Sequence, residues 1–344
     1  MTVSQAIAAG DVALLPSRRD EDWRWTDLRG LIRAMPPMSP ASDRVFEPGA
    51  FGEGDILLVN GVVRGDVKSL IVPAGEQRTV RLRVIADTSQ TAHGADLSIW
   101  VGEGGDLTLL ETYEGFGEGY LTETRLHLTV EANARLERIV LAADAADAVA
   151  VSTATVALAE GSRFEQTTLT TGARRQRLET RIAHPGAGAS VRMDGGYLLD
   201  GQRHADLTTA VAHEGVGGET SQLTKGIVRD QARGVFQGRI VVERGADKTD
   251  ARMGHHALIL SDKAEIDAKP ELLIYADDVS CAHGNTVGAL DEDALFYARQ
   301  RGIPDAVARA MLAEAFVGEV VDRITNDEAR DVARRWVATH LGAV

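Results

Sequence analysis

Residues 126–136, LHLTVEANARL, carry the pattern that decides the fold. Leu126, Leu128 and Val130 alternate with His127 and Thr129, so every second side chain falls on one face of an extended strand. Glu131, Ala132 and Asn133 make a small polar corner, and a new strand opens at Leu136. The motif recurs in residues 98–107 (SIWVGEGGDL), 156–164 (VALAEGSRF), 181–191 (RIAHPGAGASV), 213–220 (HEGVGGET), 240–249 (IVVERGADKT), 258–266 (LILSDKAEI) and 273–281 (LIYADDVSC). The residues that close these copies are Leu107, Leu136, Phe164, Val191, Thr220, Thr249, Ile266 and Cys281, spaced by 29, 28, 27, 29, 29, 17 and 15. A stride near 28 with Gly, Asn, Ala or Asp at the corners predicts stacked coils, each leaving an apolar face for the next to cover. A sandwich also has many short strands, but it has less reason to keep so even a stride. The chain is read as mainly β, a β-solenoid, without the six-residue pattern of left-handed acyltransferase solenoids.

The flanks differ in texture. Ala6, Ile7, Val12, Leu14 and Leu15 form an apolar stretch broken by Pro16, and Trp23, Leu28, Leu31 and Ile32 follow at roughly helical spacing, which predicts helix through the first 35 residues. Residues 36–49 hold four prolines and read as a linker. After Leu290, DEDALFYARQRG predicts a helix with Asp291 as N-cap and Gly302 at its C-terminus. Pro304 sits where a second helix can begin. In that helix Val307, Met311, Leu312, Phe316, Val320 and Ile324 are read as one face, and a third helix runs from about Asp327 to His340. Three regions result: 1–50, helical with a linker; 51–290, the β core; and 291–344, helical.

Composition narrows the function classes. The net charge of -14 argues against a phosphate-backbone partner, and aromatics at 5% leave little for stacking bases. Arg174, Arg175 and Arg177 are the main basic run, read as a solvated strand face. No apolar run approaches the ~20 residues of a membrane helix, and the first residues lack the pattern of a secretory signal. With one cysteine there is no internal disulfide framework. The expectation is a soluble cytoplasmic protein.

The only cysteine, Cys281, lies two residues before His283 in ADDVSCAHGNTVG. At that spacing both side chains share a strand face. Thiolate and imidazole suit iron, zinc or copper, but two ligands leave a site open, to be completed by water, acids or a second chain. The plainer reading makes Cys281 a small core residue and His283 an anchor for a Gly284-Asn285 turn. Asp277 with Asp278, and His255 with His256, are adjacent, so each pair points to opposite faces and is poorly placed to act on one group. GxxxxGK[ST], GxSxG and HExxH do not occur, and no nucleophile, base and acid assemble.

Two long runs carry a resemblance: KGIVRDQARGVFQGRIVV from Lys225, and TDARMGHHALILSDKAEIDAKPELLIYADDVSCAHGNTVGALDEDALFYARQRGIP ending at Pro304. With RRDEDWRWTDL near the N-terminus, they resemble the SufB/SufD family of iron–sulfur cluster assembly scaffolds. The single cysteine in a CxHG stretch resembles the SufD branch, with Ala282 and Asn285 where Ser and Ala are frequent. The resemblance implies a right-handed parallel β-helix flanked by helical regions and a non-enzymatic scaffold. It implies pairing with SufB through the β-helix and docking of the ATPase SufC on the C-terminal helices, for which Val307, Met311, Leu312, Phe316 and Val320 are candidates. His283, and with it Cys281, is implied to meet iron or a nascent cluster at the SufB interface. No permanent cofactor is implied; a flavin at the level of the complex and a homodimer of the isolated chain stay open. Alternatives are a β-solenoid carbohydrate-active enzyme and a structural adaptor that never contacts iron.

Overall fold

In the computed structural model, which describes residues 2–65 and 69–341, the alternation at Leu126, Leu128 and Val130 is a strand with those three side chains buried. Residues 1, 66–68 and 342–344 of the regions set out above lie outside the described residues. After helix α1 (Val3–Ala9) the chain forms β1 (Ile56–Val59), β2 (Val62–Arg64), β3 (Ser69–Val72), β4 (Gln77–Ala86), β5 (Ala92–Val101), β6 (Asp106–Gly115), β7 (Leu121–Val130), β8 (Arg135–Ala143), β9 (Val149–Leu158), β10 (Arg163–Thr170), β11 (Arg175–His184), β12 (Ser190–Leu199), β13 (His204–His213), β14 (Glu219–Val228), β15 (Arg233–Val242), β16 (Asp250–Ile259), β17 (Glu265–Ile274) and β18 (Ser280–Gly288). From β3 onward the strands pair in parallel with the strand two ahead. One sheet has ten strands, ordered β18-β16-β14-β12-β10-β8-β6-β4-β1-β2, and the other eight, ordered β17-β15-β13-β11-β9-β7-β5-β3. Each coil gives one strand to each sheet, and the core runs between them: a β-solenoid.

The coils stack in the register the repeat implies. Leu107, Leu136, Phe164, Val191, Thr220, Ala251 and Cys281 are successive partners in one column. Thr249 is displaced from this column by two residues because its coil is longer, and Ile266 belongs to β17 in the other sheet. The corners stack too. Gly104, Asn133, Gly161, Ala187, Gly217 and Lys248 all take positive φ, and each donates its backbone N–H to a carbonyl in the corner of the next coil. A Cβ at Gly161 would lie 2.5 Å from Asn133 Oδ1, so with its positive φ that corner favours glycine. Inside, each fully buried Leu or Val contributes roughly 1.5–3 kcal/mol of burial free energy.

The outer faces are covered differently. α1 and the residues after it pack on the eight-stranded sheet, with Val3, Ile7, Leu15 and Leu28 against Leu121 and Val149. The helix expected over 17–35 does not form; only a 3-10 turn at Glu21–Trp23 is present. Asp20 accepts from Ser17 N at 2.8 Å and Asp27 from Gly30 N at 2.7 Å, so side chains take the backbone donors that a helix needs. This segment also overturns the solvated reading of Arg177. Its guanidinium is fully buried, 4.6 Å from the Trp23 ring centroid, and paired with Asp206 at 2.7 Å and Glu179 at 2.9 Å. Arg174 and Arg175 keep partial or full exposure.

At the other terminus come α2 (Glu292–Gln300), α3 (Asp305–Val321) and α4 (Asp327–Leu341). Asp291 caps α2 by accepting from the backbone N–H groups of Asp293 and Ala294, and Pro304 is the N-cap of α3. Val317, Val320, Val321, Ile324 and Val337 pack against Leu110, Ile139, Leu141 and Leu169 on the outer face of the ten-stranded sheet. Among the described residues no helix is long and apolar enough to cross a membrane.

Candidate functional site

The solenoid stops at β17 and β18, each paired on one side only. Cys281 and His283 lie on β18, within the strand and not at a turn; Gly284 and Asn285 continue it, so His283 orders no turn there. Cys281 ends the column of Leu107 and Phe164 and packs half-buried against the apolar core. Burial pushes its thiol pKa up, and the Asp250 carboxylate adds to the effect. Since the thiolate is the metal ligand, this environment works against Cys281 as a ready donor.

His283 ends a neighbouring inward column: Leu109, Arg138, Gln166, Met193, Gln222, Met253, His283. Every earlier member is buried, whereas His283 is exposed. An inward-facing side chain is exposed here only because no further coil lies over it. Leu273, Ile274 and Tyr275 at the end of β17, and Val287 on β18, are exposed on the same terminal coil, at 40%, 42%, 57% and 47%.

Behind this edge lies a polar chain that the sequence reading missed. Asn285 is paired with His255 across the two last strands of the sheet. His255 is fully buried, stacked on Phe236 at 4.8 Å, and meets Asn285 Oδ1 at 2.6 Å and Tyr197 Oη at 2.8 Å. Burial lowers its pKa to about 4. The offset of 30 residues between His255 and Asn285, close to the repeat length, was the available signal. His256 points to the other face, where Nδ1 meets Thr286 Oγ1 at 2.7 Å. Asp277 and Asp278 are exposed corner residues, and Asp278 pairs with Lys248. Among the described residues no three His, Cys, Asp or Glu side chains come together as a metal-binding group.

The expected apolar stripe of α3 divides. Val320 is fully buried against the sheet, Leu312 and Phe316 are half-buried, and Val307 and Met311 are exposed. Helix packing therefore takes Val320, because the i, i+3 and i+4 positions nearest the sheet turn inward. Phe296 and Tyr297 of α2, not singled out from the sequence, are exposed. A shallow groove of about 330 Å³ between α3 and α4 is lined by Met311, Gly318, Val321 and Val337, among others.

Stacked parallel coils, an open terminal pair of strands and helices on one face define a β-solenoid with one uncovered end. The chain belongs to the SufB/SufD family: the family described as SUF system FeS cluster assembly, SufBD core domain, matches residues 84–316. It is 27% identical over 368 residues to the iron–sulfur cluster assembly protein SufD of Escherichia coli K12, covering 91% of this chain and 86% of that protein. It is 33% identical over 192 residues to a SufBD family protein of Synechocystis, covering 56% of this chain and 42% of that one. To the chloroplastic protein ABCI7 of Arabidopsis thaliana it is 29% identical over 302 residues, covering 84% and 64%. The chain thus spans less than two thirds of the cyanobacterial and plant relatives. Its family function is scaffolding in iron–sulfur cluster assembly.

Proposed function

We propose that this chain is the SufD-type subunit of a cluster assembly complex and that a SufB-type solenoid covers the edges of β17 and β18. The observation that carries this reading is the open end: two long strands unpaired on one side, with an inward-facing histidine exposed on the same terminal coil as Leu273, Ile274, Tyr275 and Val287. Strand addition to such an edge satisfies its free backbone groups and removes Leu273, Tyr275 and Val287 from water.

In that joint His283 offers an imidazole nitrogen to iron, a borderline metal for which imidazole is a suitable ligand, and the partner offers thiolate. Iron or the nascent cluster is cargo, held between chains. Cys281 is the second choice, because its thiol must first lose a proton that burial favours. Val307 and Met311, with Phe296 and Tyr297, form the surface for a SufC-type ATPase, whose hydrolysis of ATP drives the rearrangement that opens the joint. The chain itself carries out no catalysis, and a flavin, where one takes part, belongs to the complex. Without its partner the same edges pair two copies. The compartment in this reading is the cytoplasm.

The test is His283→Ala in the complex reconstituted with SufB- and SufC-type partners. Cluster content falls several-fold while the subunits still co-purify. Undiminished cluster formation overturns the role of His283.

A further inference from the structure

Asn285 stands two residues after His283 on the same strand, about 7 Å further along and on the same inward face. Its carbonyl Oδ1 can only accept, so at 2.6 Å His255 Nδ1 must carry the proton and donate it. The other ring nitrogen, Nε2, is then an acceptor for the Tyr197 hydroxyl at 2.8 Å. Both donors of this chain run one way, from Tyr197 through His255 to Asn285. Phe236 stacks on the imidazole at an interplanar angle of 1°, and full burial keeps the ring uncharged, so the tautomer is held. The consequence falls on the far side of Asn285. With Oδ1 engaged, the amide Nδ2–H group has no acceptor among the described residues, and Asn285 is an exposed residue of the open end, two positions from His283.

We propose that Asn285 donates this N–H to an anionic sulfur held at the His283 edge, and that Tyr197 and His255 are positioning residues that keep the amide from turning over. The proposal rests on the reading of the open end as the cluster joint. Two sulfurs share the required chemistry, a bridging sulfide of the cluster and the partner's thiolate. Hydrogen bonds to cluster sulfur stabilise the more negative, reduced form and raise the reduction potential.

The experiment uses the full complex, reconstituted with ordinary or 34S-labelled sulfide, with Asn285→Ala, Tyr197→Phe and His283→Ala compared with the unaltered chain. Reduction potential and Fe–S vibrations in H2O and D2O are recorded. Asn285→Ala shifts the potential to more negative values and abolishes the D2O shift of one Fe–S mode. Tyr197→Phe moves the potential the same way by less. If the affected mode also shifts with 34S the acceptor is sulfide; if it does not, the acceptor is thiolate. An unchanged potential and D2O shift in Asn285→Ala, with the cluster still lost in His283→Ala, overturns the role of Asn285 alone. A cluster unaffected by both substitutions overturns this proposal together with the reading of the joint. Should Asn285→Ala fail to assemble, an unchanged potential in Tyr197→Phe overturns it.

Discussion

The two ends of the solenoid are finished in opposite ways. At the first, β1, β2 and β3 have only four, three and four residues, and β2 turns back antiparallel on β1. The linker then lies over this end: Asn60 Nδ2 donates to Pro40 O at 2.9 Å and an Arg64 guanidinium nitrogen to Arg44 O at 2.7 Å. At the second end, β17 and β18 run for ten and nine residues, and among the described residues no strand pairs with their outer edges. Short, turned and covered edges are how proteins keep strands from pairing with other chains; a long bare edge invites it. One end closes the fold with short, turned edges, whereas the other leaves two long strand edges unpaired, which is the ground for proposing a partner there.

The largest expected effect compares two members of one column. Phe164→Ala in mid-solenoid is expected to lower stability by about 3–5 kcal/mol, and Cys281→Ala at the open end by less than about 1 kcal/mol, read from urea unfolding. Equal losses would mean that the last coil is packed as tightly as the middle. Acid gives a second contrast. Burial lowers the pKa of His93, toward the first end, and of His255, toward the second, to about 4 in each case. The unfolded chain takes up these protons near 6.5, so stability is present above that pH and falls as pH drops from 6.5 toward 4. The slope is at most about 1.4 kcal/mol per pH unit per histidine. Covering the open end should change the contribution of His255 and leave that of His93, which His255→Gln measured with and without the partner will reveal.

Surface charge gives a smaller effect. Val287→Lys is expected to weaken partner binding tenfold or more, about 1.4 kcal/mol, while Val62→Lys at the first end changes it less than twofold. Each substitution should leave the isolated chain within about 0.5 kcal/mol of its original stability. Equal effects on binding would remove the asymmetry between the ends.

The stacked coils were legible because corner chemistry and inward residues recur at nearly constant spacing. Where a coil lengthened, the reading slipped: Thr249 was aligned where Ala251 stands. The N-terminal apolar spacing read as helix because Trp23, Leu28 and Leu31 face one side in either conformation; the aspartate side chains that bond the backbone decided otherwise. Arg177 illustrates a deeper limit. Its burial depends on Trp23, more than 150 positions earlier, which no local window contains. At the site, Cys281 and His283 could be placed on one face from spacing alone. Their difference in burial, and the Tyr197–His255–Asn285 chain, depend on which coil is last and on contacts a full coil or more apart.

The most direct measurement is amide hydrogen exchange of the chain alone and with a SufB-type partner. Amides of β17 and β18 are expected to become strongly protected in the complex while those of β2 and β3 are unchanged. Exchange in β18 as fast in the complex as in the free chain would contradict it.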